Sequence, residues 1–179
     1  MVKEFVLTAF CKDRPGIVAD ISEVIYENEC NLKDSTMTNL AGEFAIILLL
    51  SPLSAGKETD LEEKLSTECR RLEREKGITA FIRPVSHPAS KQKADCYVKN
   101  LYVEGLDQAG IVYKVSRFLA DNDINITSLS SQVKFSPESG AAIYCLSISL
   151  EIPQNVSRQT VEQGLNQIED QLNVDITVE

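Results

Sequence analysis

Shifting the chain by 94 residues lays its two halves on one another without a gap. Over residues 13–31, seven of nineteen positions are then identical: Asp13 with Asp107, Gly16 with Gly110, Ile17 with Ile111, Val18 with Val112, Ser22 with Ser116, Asn28 with Asn122 and Asn31 with Asn125. A repeat of that period restricts the fold to two copies of one small domain, and 179 residues suit two units of the usual size. The expected organisation is a first unit at 1–85, a Pro/Ser/Lys-rich linker at 86–96 and a second unit at 97–179.

Each copy reads in the same order. A β-rich run, "EFVLTAF" or "NLYVEG", precedes an apolar stripe at helical spacing: Ile17, Val18, Ile21, Val24 and Ile25, matched by Ile111, Val112, Val115, Phe118 and Leu119. Two hairpin-like strand pairs follow, broken at Ala41 and Gly42 in one copy and at "SPESG" in the other. A second helix carries Leu61, Leu65 and Leu72, or Val161, Leu165, Ile168 and Leu172, and a short strand closes each copy. The order β-α-β-β-α-β predicts an α+β fold of two ferredoxin-like units, each an antiparallel four-stranded sheet with two helices on one face. The other face of each sheet stays bare, and the two copies are expected to cover each other.

Composition narrows the function. Hydrophobic residues make up 43%, enough for packed cores. Residues 1–90 hold 11 basic and 15 acidic side chains, net -4; residues 91–179 hold 7 and 12, net -5. Neither half is a basic module, so no direct nucleic-acid contact is expected. The five cysteines, Cys11, Cys30, Cys69, Cys96 and Cys145, are scattered and form no C-x-x-C, which argues against a disulfide scaffold or a zinc site. No run approaches a membrane span or a signal peptide, so a cytoplasmic protein is expected. The single histidine, His87, falls in the linker and offers no catalytic or metal constellation. Neither catalytic residues nor a cofactor are expected. The unit also serves copper carriers and acylphosphatases, but the paired cysteines of the one and the cationic cradle of the other are missing. The charge-rich "DLEEKLSTECRRLEREKG" reads as a surface helix, and Cys11 as a small buried residue whose pKa a nearby helix start would lower.

The repeated turn, "DRPGI" in one copy and "DQAGI" in the other, carries the remaining signal. As pure structure, Asp13 suits a helix cap, Pro15 the first helical turn, Gly16 a close backbone approach and Asn31 the helix-to-strand turn. The same groups fit a zwitterionic amino acid. First-turn N–H groups take the carboxylate, and Asp or Asn oxygens take the ammonium. Asp13 disfavours a phosphate.

D-R-P-G-I on a β-α turn of such a unit resembles the ACT domain, a family of small regulatory modules that often bind amino acids. The resemblance covers nearly the whole chain. Two such units with no enzyme attached are most similar to the glycine cleavage system transcriptional repressor group. In that family ligands sit where two units meet, near the β1–α1 turn and the start of strand 2. The ligand-binding residues implied here are Asp13, Arg14, Pro15, Gly16, Ile17 and Asn31, then Asp107, Gln108, Ala109, Gly110, Ile111 and Asn125. The second copy departs from the family pattern at Gln108 and Ala109. The resemblance implies a non-enzymatic, amino-acid-sensing regulator that works through a protein partner, with glycine or a similar amino acid as ligand and homo-oligomers within reach. The alternative is a constitutive interaction or oligomerisation module with decayed ligand sites.

Overall fold

The computed structural model describes residues 4–53, 58–85, 95–137 and 140–179. His87 and most of the expected linker lie outside them. Contacts divide the chain into two compact units, Met1–Pro88 and Ala89–Glu179.

The first unit runs β1 (Phe5–Lys12), α1 (Ile17–Glu27), β2 (Cys30–Leu40), β3 (Glu43–Pro52), α2 (Glu58–Lys76) and β4 (Thr79–Pro84). The second runs β5 (Cys96–Leu106), α3 (Ile111–Asp121), β6 (Asn125–Phe135), β7 (Ala142–Pro153), α4 (Arg158–Leu172) and β8 (Val174–Val178). The sheets have the orders β2-β3-β1-β4 and β6-β7-β5-β8, antiparallel throughout. Each unit is thus the expected ferredoxin-like sheet with two helices.

Strand alternation builds the cores. Phe5, Leu7 and Ala9 of β1 and Phe44, Ile46, Leu48 and Leu50 of β3 point inward, where Ile17, Ile21, Val24 and Ile25 of α1 meet Leu61, Leu65 and Leu72 of α2. Leu101 and Val103, with Leu146, Ile148, Leu150 and Ile152, do the same beneath α3 and α4. Cys69 joins the first core, and burial pushes its thiol up to about 11. Val18 and Val112, read as part of the helical stripes, are exposed instead. Burial falls on Ile17, Ile21, Val24 and Ile25 in α1 and on Ile111, Val115 and Leu119 in α3.

The repeat extends to backbone detail. Asn28 and Asn122 end their helices, each with its side-chain amide donating to the carbonyl four residues back, Val24 at 2.8 Å and Phe118 at 2.9 Å. Glu29 and Asp123 follow with positive φ, 53° and 56°. A bulge falls between Leu32 and Asp34, and its counterpart between Ile126 and Ser128. The helix-to-strand turn is therefore made by residues 28 and 29, and Asn31 lies inside β2 rather than in the turn.

Candidate functional site

β1 delivers the chain to the repeated turn. The Asp13 N–H donates to Gly42 O at 2.8 Å, tying the strand end to the β2–β3 hairpin; Asp107 N–H donates to Ala142 O at 3.1 Å in the second unit. Gly16 then adopts φ 93°, ψ −5°, and Gly110 φ 102°, ψ −9°. Both lie in the left-handed region that a Cβ resists. The first helical hydrogen bonds follow, Asp20 N–H to Gly16 O and Lys114 N–H to Gly110 O, each 2.9 Å.

These positions correct two of the structural readings. The residue capping α1 is Gly16, not Asp13, and Pro15 precedes the helix instead of opening its first turn. No side chain caps α1 or α3. The contrast is α4, where the Ser157 hydroxyl accepts from Thr160 N–H at 3.0 Å in the ordinary way. A helix start without a side-chain cap leaves first-turn donors and the positive end of the helix dipole for water or an anion.

The other candidate side chains divide by what they touch. Ile17 and Ile111 are buried in the two cores, so only their backbones face the turn. The Asp13 carboxylate is exposed and accepts from the Asn39 amide at 2.6 Å. Arg14 is committed elsewhere: its guanidinium donates to Asp20 Oδ2 at 2.7 Å, to Lys76 O at 3.3 Å and to Pro15 O at 3.2 Å. Lys76 Nζ reaches the other oxygen of Asp20 at 3.1 Å. The Arg14 and Lys76 hydrogen bonds hold the Asp20 carboxyl below its usual range. Gln108 occupies the matching position and donates to Leu172 O at 2.6 Å. Both side chains therefore satisfy a carbonyl at the end of the unit's second helix. Pro15 and Ala109 are exposed and make no polar side-chain contact.

Cys11 sits just before the turn, and burial pushes its thiol up despite the Arg14 guanidinium. The helix start does not activate it. Asn31 and Asn125 lie far from the turns. Asn31 pairs with Ser51, whereas Lys12, beside the turn, pairs with Glu43. Those rows are eight residues apart on β3, about 26 Å at the ordinary strand rise. Within one unit, turn and Asn31 cannot hold the same small molecule. Asn125 instead donates to Glu151 Oε2 at 3.2 Å.

Sequence reasoning missed Asn39, Asp20, Lys76 and Leu172. Nothing in a linear pattern pairs Asp13 with a residue 26 positions on, or Arg14 with a helix end 62 positions away. The arrangement can offer backbone donors to a carboxylate and one aspartate to an ammonium, at each of two turns. Among the described residues no cluster of His, Cys, Asp and Glu could hold a metal.

Comparison with known proteins agrees with the fold. Residues 3–80 match the model of the ACT domain. The chain is 26% identical over 168 residues to the glycine cleavage system transcriptional repressor of Escherichia coli, covering 94% of this chain and 85% of that protein. A UPF0237 protein of Methanopyrus kandleri is 33% identical over 78 residues, 44% of this chain and 83% of its own. The crystal structure of an unknown protein from Galdieria sulphuraria superposes with a TM-score of 0.80 at 29% identity, over 100% of this chain and 98% of the other. A structure assigned as a glycine cleavage system transcriptional repressor shares the fold, with a TM-score of 0.68 at 23% identity and 100% and 97% coverage. With an ACT domain matched across residues 3–80, the first unit belongs to the ACT domain family, and the second unit repeats its fold.

Proposed function

We propose that this chain is a non-enzymatic regulatory protein that senses an amino acid, glycine or one of similar size, and passes the signal to a protein partner. The observation that carries the proposal is the helix start at Gly16, repeated at Gly110. No side chain caps either one, and each stands three residues after an exposed aspartate. Backbone donors would take the carboxylate, and Asp13 or Asp107 the ammonium. The similarity to the glycine cleavage repressors supports glycine metabolism as the setting.

A constitutive interaction module is the second reading, and one observation favours it. Arg14 and Gln108 satisfy helix-end carbonyls, which accounts for the motif's second position without a ligand. A thermal-shift series with the twenty amino acids separates the two. At 100 times its Kd a ligand stabilises the fold by about 2.7 kcal/mol. The sensing reading expects such a shift from one small amino acid, and its loss in the Asp13→Ala, Asp107→Ala double variant. Flat melting temperatures with all twenty at millimolar concentration would leave the interaction module.

A further inference from the structure

The second unit departs from the first at one core position. Under the 94-residue shift Lys99 takes the place of Phe5. Register agrees, since Phe5 pairs with Leu50 and Lys99 with Leu150. Phe5 is fully buried, whereas Lys99 is half-buried, alternating with Tyr97 and Leu101 on the side of β5 that faces the helices. A cleft of about 90 Å³ opens there, between β5, the ends of β7 and β8, and the first turns of α4. Every residue lining it belongs to the second unit. A liquid water occupies about 30 Å³, so the space suits a molecule of a few heavy atoms.

The walls of the cleft divide by chemistry. Tyr97, Ile152, Val161 and Val178 make an apolar side. Lys99, Arg158 and Glu162 bring charge. None of these three charges has an ion-pair partner among the described residues. The spacing of Arg158 and Glu162 allows one, as Arg117 and Asp121 show by pairing at the same separation in α3. Arg158 instead lies over the Tyr97 ring, 5.9 Å from its centre. Ser157 already caps α4, its hydroxyl accepting from Thr160 N–H. The positive character of the cleft therefore comes from side-chain cations rather than from the helix start.

Two cations against one carboxylate leave the cleft with a net charge of +1. A monoanion neutralises that charge, whereas a dianion overshoots it and meets Glu162 as a like charge. The apolar side calls for a short hydrocarbon portion. We propose that the cleft between α4 and β5 binds a small aliphatic monocarboxylate, its oxygens on Lys99 and Arg158 and its carbon chain against Ile152, Val161 and Val178. A guanidinium stacked on a ring is held in place to fork onto both oxygens, and a lysine adds a point charge beside it. This site is separate from the repeated turn. Lys99 lies near the start of β5 and the turn follows its end at Leu106, about 23 Å away at the ordinary strand rise.

Titrating the isotope-labelled full chain with sodium propionate at constant ionic strength, read by backbone amide chemical shifts, tests this. The amides of Lys99, Arg158 and Glu162 should move together and saturate by about 50 mM, as a Kd of a few millimolar requires. Lys99→Gln and Arg158→Gln should each weaken binding by about tenfold or more. Lys99→Phe, which carries the first unit's residue into the second, should fill the cleft and abolish binding. Unchanged circular dichroism in each variant certifies folding. Inorganic phosphate should give no saturable movement at these three amides. The proposal is overturned by propionate shifts confined to the neighbourhood of Gly16 and Gly110, or by no saturable movement at all. It is equally overturned by binding that both glutamine variants leave intact, or by phosphate binding tighter than propionate.

Discussion

Gly16 and Gly110 look interchangeable with alanine in a linear reading, because alanine is the better helix former. Their backbones say otherwise. With φ at 93° and 102°, each sits where an L side chain is strained, although a Cβ at Gly16 would meet only Arg14 Nη1 at 3.7 Å and one at Gly110 would meet nothing within 4 Å. The cost is therefore conformational rather than steric. Gly16→Ala and Gly110→Ala should each lose about 1–2 kcal/mol, read as a lower urea midpoint with an unchanged slope. Gly164 is the opposite case. It lies inside α4 with no unusual φ, but a Cβ there would come within 2.0 Å of the Phe118 ring, which packs against the second core. Helix propensity predicts that Gly164→Ala stabilises by roughly 1 kcal/mol. Overpacking predicts a loss of about 1–3 kcal/mol, and we expect the loss to dominate because a ring held between two helices has little room to retreat. Restoration by the pair Gly164→Ala with Phe118→Leu would tie the effect to that contact.

At the scale of elements, the cluster of Arg14, Asp20 and Lys76 adds a polar link between α1 and the end of α2. Its members are partly open to water, with side-chain exposures of 39%, 16% and 47%, so salt should weaken it. Asp20 has a folded pKa below its ordinary value of 3.8, through the hydrogen bonds of Arg14 first and Lys76 second. A depressed carboxylate stabilises the fold above its unfolded pKa, and that contribution drains away as pH falls through the folded value. Asp20→Asn should therefore lower the melting temperature near pH 7, and the gap to the native chain should close below pH 4 or so. A gap that stays constant down to pH 2 or so would mean that the charge does no stabilising. The second unit has Lys114 at the place of Asp20 and a neutral Gln108, so Lys114→Asn should show no comparable acid limb. Element identity and order were legible because burial imposes period two on β1 and β3 and near four on the helices. The cluster was not legible, since it joins residues 14, 20 and 76 that only the packed fold brings together. For the same reason the sequence groups Asn31 with the turn in one ligand set, although α1 carries it to the other end of the sheet. Val18 misled differently. One apolar residue beside the stripe satisfies a helical period, but the stripe here is narrow and the wheel leaves that position in water.

For the whole molecule the question is how an acidic chain, net -9, related to transcriptional repressors would meet DNA. A recognition helix needs free cations on an exposed face. The helix with most of them is α2, where Lys64, Arg70, Arg71, Arg74 and Lys76 are outnumbered by Glu58, Asp60, Glu62, Glu63, Glu68, Glu73 and Glu75. Several of those cations are already engaged, Arg71 with Glu27 and Glu68, Arg74 with Glu75, and Lys76 with Asp20. In α3, Arg117 pairs with Asp121. In α4 the single cation, Arg158, lies over the Tyr97 ring, 5.9 Å from its centre. α1 carries no basic residue at all. Phosphate contacts supply nearly all non-specific affinity for duplex DNA, so a chain whose helices neutralise their own cations starts without it. A gel shift at low salt with the purified chain alone should show no retarded species that survives competitor DNA. A specific nanomolar complex formed by the chain alone would overturn this. A complex that appears only when a second, DNA-binding protein is added would place regulation in the contact between the two proteins, with any amino-acid ligand acting on that contact.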